Sequence, residues 1–309
     1  MCIRSDILLG LLVLALAASA AGQAVRTRSL IIKTEPKAIV WLNGVRYGTT
    51  DAEGKLEIKN SPTGRQMVKV RADGFKETSK AILPAQTGNV DIPLVQTTDQ
   101  AELAFQEGEK LAFVDRERSE ASYRNAITLK PGYVEAHIGL ARVLSEAGDV
   151  EGASKAIRDA VRLRPRDPEA AAVEGRIYKI IDEEPKAIAA FKRAITSGGG
   201  FQPEAYTGLA MLYQERAEAA ASEGDFAAEK RNYAEAEKNF AMAVKQLGTG
   251  SDAPTIYQLL GLVYEKQKKY KEAIALYETF LRLFPDNVEA TAVQSFIVQL
   301  KKQMADKPQ

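Results

Sequence analysis

Apolar and polar positions change period once along this chain. Between about residues 28 and 96 the period is two. The runs Ser29 to Thr34, Ala38 to Leu42, Lys55 to Lys59, Gln66 to Ala72, Lys76 to Leu83 and Asn89 to Val95 are separated by turn residues, which is the pattern of strands. Asn43-Gly44, between Leu42 and Val45, predicts a type I′ hairpin. In the fourth run Val68, Val70 and Ala72 point one way and Met67, Lys69 and Arg71 the other. Such alternation predicts an antiparallel sheet with one solvated face and a thin core.

After Asp99 the pattern becomes helical and repeats at a fixed spacing. Ala153 and Ala187 are 34 residues apart, as are Ala160 and Ala194, Ile157 and Phe191, and Ala141 and Gly175. A period of about 34 predicts stacked helical hairpins. Asp99 with Glu102 reads as a capping box that opens the first helix. The linker from Gln96 to Thr98 is too short for free tumbling, so the β-module is expected to cover the open end of the first hairpin, as solenoids require. First helices carry a small residue at Gly108, Ala141, Gly175, Ala210 and Gly261; second helices place Tyr123, Ile157, Phe191, Phe240 and Tyr277 four residues after their own small residue. Small residues let helices approach, and large ones fill the groove beside them. Pro131, Pro165 and Pro285 end three units.

Five hairpins follow, at about 99–132, 134–167, 168–201, 203–250 and 254–286, with a capping helix at 288–304. The fourth departs from the period. Tyr213 to Ala236 spans 23 residues where Tyr178 to Ala187 spans 9. Gly224-Asp225 divides the excess evenly, about two turns per helix. This predicts a hairpin projecting about 10 Å beyond its neighbours, with Ala217, Ala220 and Ala221 packed against Phe226.

The residues of the first segment resemble a PEGA domain. Leu30, Ile32, Glu35-Pro36-Lys37-Ala38, Val40, Leu42, Asn43-Gly44 and Gly48-Thr49-Thr50 look like its opening, and Pro62-Thr63-Gly64, Val68, Val70 and Gly74-Phe75 like its second half. Lys37 stands where the motif has glycine. The helical segment resembles the tetratricopeptide repeat (TPR). Together they imply a multidomain chain, a small antiparallel β-rich (PEGA-like) module followed by an all-α TPR superhelical solenoid. PEGA domains are small modules of envelope and secreted proteins, so the resemblance implies a binding or spacer role at 28–96. In TPR proteins the inner faces of first helices line a concave groove. Carried over, that face holds Phe105 and Glu109 in the first unit, and Ile138 and Arg142 in the second. The third contributes Ala172, Arg176 and Lys179, the fourth Thr207 and Met211, and the fifth Gln258 and Leu262. Arg142 and Arg176 would stack, and with Lys179 could grip a carboxylate-bearing segment; a plainly solvated helix face is the competing reading.

Composition narrows the function further. Lys and Arg number 42 against 41 Asp and Glu, a net charge of +1, which gives no pull toward nucleic acid or anionic membrane. Residues 1–22 read as a secretory signal: Arg4, then an apolar run from Ile7 to Ala18 broken only by Gly10, then Ala18-Ser19-Ala20. The run is shorter than the roughly 20 residues of a spanning helix, and an uncleaved anchor is the alternative. Cys2, the only cysteine, lies inside it. His137 is the only histidine and occupies a packing position. Ser197-Gly198-Gly199-Gly200 lacks the ending of a phosphate loop, and Asp182-Glu183-Glu184 lies on a turn. No catalytic, metal or cofactor site is expected.

Two functions remain. One is a non-enzymatic exported scaffold, periplasmic or extracellular, that binds a protein or peptide in the groove. The other is a carbohydrate or cell-wall binder that uses the β-module. The second would rest on Trp41, the only tryptophan, which stands between inward Val40 and Leu42 and could stack on a sugar. Packing of Trp41 across the strands against Tyr47 is the plainer expectation.

Overall fold

The computed structural model describes residues 27–62 and 64–305; the expected signal segment lies outside them. Among the described residues seven strands come first: β1 (Thr27–Lys33), β2 (Ile39–Leu42), β3 (Val45–Thr49), β4 (Lys55–Pro62), β5 (Gln66–Arg71), β6 (Thr78–Ile82) and β7 (Gly88–Asp91). They form two sheets, ordered β4-β1-β7 and β3-β2-β5-β6. The pairs are antiparallel except β1 with β7. That exception arises because the chain leaves the second sheet after β6 and returns to the far edge of the first. Leu30, Ile32, Ile58 and Val90 from one sheet meet Val40, Leu42, Val68, Val70 and Ile82 from the other.

The turns follow from local chemistry. Asn43 and Gly44 both have positive φ, 51° and 86°, as a type I′ turn requires. Lys37 has φ of 58°, the left-handed region that glycine enters without strain. The position where the resembled motif carries glycine is thus one where the backbone asks for it.

Eleven helices are described after the strands, paired as hairpins: α1 (Gln100–Leu111) with α2 (Arg116–Leu129), α3 (Val134–Ala147) with α4 (Val150–Leu163), α5 (Pro168–Ile180) with α6 (Glu184–Ser197), α7 (Pro203–Glu223) with α8 (Phe226–Leu247), and α9 (Ala253–Lys266) with α10 (Tyr270–Leu283). The last, α11 (Ala290–Ala305), buries Val293, Ile297 and Leu300 against the fifth hairpin. Asp115, Asp149, Asp167 and Asp225 each cap a helix by accepting from a backbone N–H of its first turn. Lys130, Arg164 and Phe284, each preceding a proline, leave the helical conformation because proline disfavours it in the residue before. The capping box at the first helix is only half made. Asp99 accepts from Ala101 N–H, but the Glu102 carboxylate takes the Tyr133 hydroxyl and the Gln106 amide instead.

The first unit joins the second, and the third the fourth, by a ring seated between two glycines. The Tyr123 ring on α2 lies against Gly108 of its own hairpin and Gly139 of the next. Phe191 on α6 does the same with Gly175 and Gly208. A Cβ at any of these four glycines would overlap the ring. Gly108 and Gly175 fit the predicted small positions. Gly139 and Gly208, two residues ahead of Ala141 and Ala210, carry the contact between units. His137 is buried, with Nε2 3.0 Å from the Pro131 carbonyl, so it donates there and serves packing.

Helices α7 and α8 run 21 and 22 residues, where the helices of the other hairpins have 12 to 14. At 1.5 Å per residue this is the expected projection of about 10 Å. Its packing differs from expectation. Ala217 and Ala220 are buried, but Tyr233 seals the hairpin while Phe226 at the tip is 73% exposed.

Two stability changes follow. Gly208→Ala should cost about 1–3 kcal/mol, because the Phe191 ring is held on both sides and cannot yield. Lys37→Gly should be neutral to stabilising by up to about 1 kcal/mol, relief of the left-handed strain outweighing the looser unfolded chain. Denaturant midpoints at constant slope measure both.

Candidate protein-binding groove

The inner faces of the first helices form a series. At one repeating point stand Glu109, Arg142, Arg176, Met211 and Leu262. The first three are charged and paired within the chain, whereas Met211 and Leu262 are 38% and 47% exposed. Thr207 and Gln258, one turn earlier, are half-buried. Phe105, Ile138 and Ala172, at the matching points of the first three units, are buried.

The two arginines do hold a carboxylate, and it is the chain's own. Arg142 donates from Nη1 and Nη2 to the two Glu204 oxygens at 2.8 and 2.6 Å, a bidentate fork. Arg176 approaches the same carboxylate at 3.5 Å and Glu146 at 3.7 Å. Glu204 opens α7, so this contact ties the second unit to the fourth across the concave side. Lys179 is likewise taken, by Glu215 at 2.6 Å. The expected grip on a foreign segment therefore meets a groove already neutralised in its middle. Burial would push the Glu204 carboxyl up, but Arg142 and then Arg176 outweigh it, and the group titrates below the usual glutamate range.

At its first unit the groove is filled by the β-domain. Arg71 of β5 reaches α1 and pairs with Glu109, while also pairing with Glu77 of its own domain. Its guanidinium lies 4.7 Å from the Phe105 ring centre and 5.2 Å from that of Trp41. Burial works against the charge, but the Glu109 and Glu77 carboxylates dominate and hold Arg71 protonated. Beside it, Gln106 of α1 clasps backbone: Gly74 N–H donates to its Oε1 at 2.9 Å, and its Nε2 donates to the Phe75 carbonyl at 2.8 Å. Lys110 meets Asp73 at 3.2 Å.

The β-domain also makes a second contact, far from the linker in sequence. Ser251 N–H, in the turn between α8 and α9, donates to the Arg46 carbonyl of β3 at 2.8 Å. Val45 packs against Gly250 and shares a core with Leu247 and Ala253, and Tyr47 lies against the Gly248–Thr249 backbone. Contacts thus run in a closed circuit from the β-domain through four hairpins and back. Sequence reading missed this because the strand edge and a glycine-rich turn carry no periodic signal. Trp41 is half-buried, with the Lys69 ammonium 4.8 Å from its ring centre. Lys69 and Arg71, rather than Tyr47, are its partners within the chain.

Glu204→Gln should destabilise the chain by about 1–2 kcal/mol, above a surface pair but below a fully buried one, since both partners are about a quarter exposed. Because the folded carboxyl titrates low, its contribution is complete above the unfolded glutamate value, near pH 4.5. It is lost as pH falls through the lower folded value. Melting from pH 7 down to 3 should show a smaller acid loss in Glu204→Gln than in the native chain.

Residues 114–177 and residues 254–287 match family models described as tetratricopeptide repeat. No curated protein matches the chain in sequence. Among solved structures it is similar to yeast Tom70, at 17% identity over 67% of this chain and 41% of that one, with a TM-score of 0.53. It is similar to the APC/C hetero-tetramer Cut9-Hcn1 at 17% identity, over 67% of this chain and 37% of that one, with a TM-score of 0.51. Similarity to MamA reaches 20% identity over 63% of this chain and 96% of that one, with a TM-score of 0.43. The chain spans less than half the length of the first two, and the likeness concerns the fold alone. The two matched segments are tetratricopeptide repeats, and the hairpin geometry makes the helical part of this chain a TPR-like solenoid.

Proposed function

We propose that the chain is a non-enzymatic exported scaffold that binds a protein or peptide on the first-helix face of its solenoid. One observation carries the choice of surface: Met211 and Leu262 are exposed apolar residues at equivalent points of adjacent first helices. The same points in the first three units are charged and satisfied internally. A preformed, rigid face of this kind binds with little ordering cost. The matched repeat models include no catalytic family. Export rests on the apolar run that follows Arg4 and ends in small residues, and it places the mature chain in the periplasm or outside the cell. The PEGA-like resemblance of the β-domain fits an envelope setting. Among the described residues no helix is long and apolar enough to cross a membrane.

A photo-crosslinking residue at Met211 or at Leu262, introduced in the source organism, should trap the same partner. The outward Arg158 position should not trap it, and Met211→Asp with Leu262→Asp should lower its recovery at least tenfold when the crosslinker sits at Gln258. Equal trapping at Arg158, or indifference to the double substitution, would remove this surface from the account.

A further inference from the structure

The clasp between the β-domain and α1 has the parts of a peptide-recognition site. Phe105 and Glu109 offer a ring and a carboxylate to one guanidinium. Gln106 offers a donor and an acceptor to main-chain groups three and four residues further on. Both groups are presented by a turn, in which Phe75 N–H donates to the Ala72 carbonyl at 3.1 Å and Gly74 has φ of 81°. The resident segment is Arg71-Ala72-Asp73-Gly74-Phe75. We infer that the inner face of α1 is a binding site for an arginine followed by a glycine-containing turn in a protein segment, which the β-domain occupies in cis and a partner takes by displacing it.

Three observations favour an exchangeable occupant over a permanent joint. The β-domain has its own apolar core, in which no helical residue takes part. The contact with α1 is largely polar, built from charge pairs and the Gln106 clasp; interfaces of that kind between domains resemble transient ones. The docked Arg71 is also imperfectly satisfied, because its buried Nε has no hydrogen-bond partner. A buried donor left unpaired is costly, so the docked state holds less than its full binding energy. Against release stands the β3 contact with the α8–α9 turn, where Val45 joins the solenoid core. Opening therefore has to break both contacts, and locking either one should keep the site closed.

The inference rests on the protein-binding reading above and specifies how one end of that face is reached. The probe is a fluorescein-labelled synthetic peptide of residues 66–77, with its Arg71→Ala counterpart as control. The protein is the full chain carrying Cys2→Ser, with and without Arg46→Cys plus Ser251→Cys, positions whose backbones are hydrogen-bonded. The reduced double-cysteine chain should bind the peptide at least tenfold more tightly than the oxidised chain. Arg71→Ala in the protein should tighten binding at least tenfold over the native residue. Adding Glu109→Gln should cancel that gain, and the control peptide should bind at least tenfold more weakly throughout. Equal binding by oxidised and reduced chains would overturn the inference, and so would failure of the peptide to bind the reduced chain. If Arg71→Ala does not fold, as judged by helical circular dichroism, the oxidised-to-reduced comparison decides alone. A partner trapped at Met211 and Leu262 equally well in locked and unlocked chains would sink displacement and leave the scaffold reading intact.

Discussion

The structure depends on an aromatic ring wedged between glycines of successive hairpins. Tyr123 and Phe191 each approach the backbone of two first helices where no side chain intervenes. These two seats hold the first hairpin on the second and the third on the fourth. Across the third hairpin Arg142 comes within 2.6 Å of Glu204, two hairpins away. The α8–α9 turn meets the N-terminal domain at β3. A Cβ at any of these glycines would push the ring away and loosen the joint.

The charge arrangement along the concave side follows from that closeness. In a wide groove Arg142 and Arg176 would stand as open cations. Here Glu204, at the start of α7, lies near enough to take both. The β-domain completes the closure from the other end, with Arg71 and Gln106 at α1 and β3 at the α8–α9 turn. What stays open is the fourth and fifth units, where apolar Met211 and Leu262 replace the charged residues. The groove is thus divided into a sealed part and an open part by the residue types at a single repeating position.

Much of the architecture was legible because it is periodic. The 34-residue spacing located the second and third hairpins, the matching small and large residues located the others, and Gly224-Asp225 located the tip of the long one. The period-two runs and Asn43-Gly44 located most strands. What could not be read was set by distant partners. Arg142 and Arg176 looked like a ladder for an outside carboxylate because Glu204 is 62 residues from Arg142 and carries no motif. Arg71 was assigned to a solvated strand face, yet it is buried because that face docks on α1. Phe226 was expected inside the long hairpin, but its position at the helix start points it past the packed face, and Tyr233 fills the space. The β1–β7 pairing likewise depends on where the chain returns, which alternation along a strand does not encode.

The central claim is that the β-domain and the solenoid form one closed circuit of contacts, joined at the α8–α9 turn as well as at the linker. The most direct measurement is the nuclear Overhauser effect between the Val45 methyl groups and the Gly250 α-protons in the full chain, with methyl-selective labelling. The account predicts a clear cross-peak, since Val45 Cγ1 lies where a Cβ on Gly250 would stand. Its absence, with Val45 showing the relaxation of an independently tumbling domain, would contradict the closure and return the β-domain to the role of a simple cap.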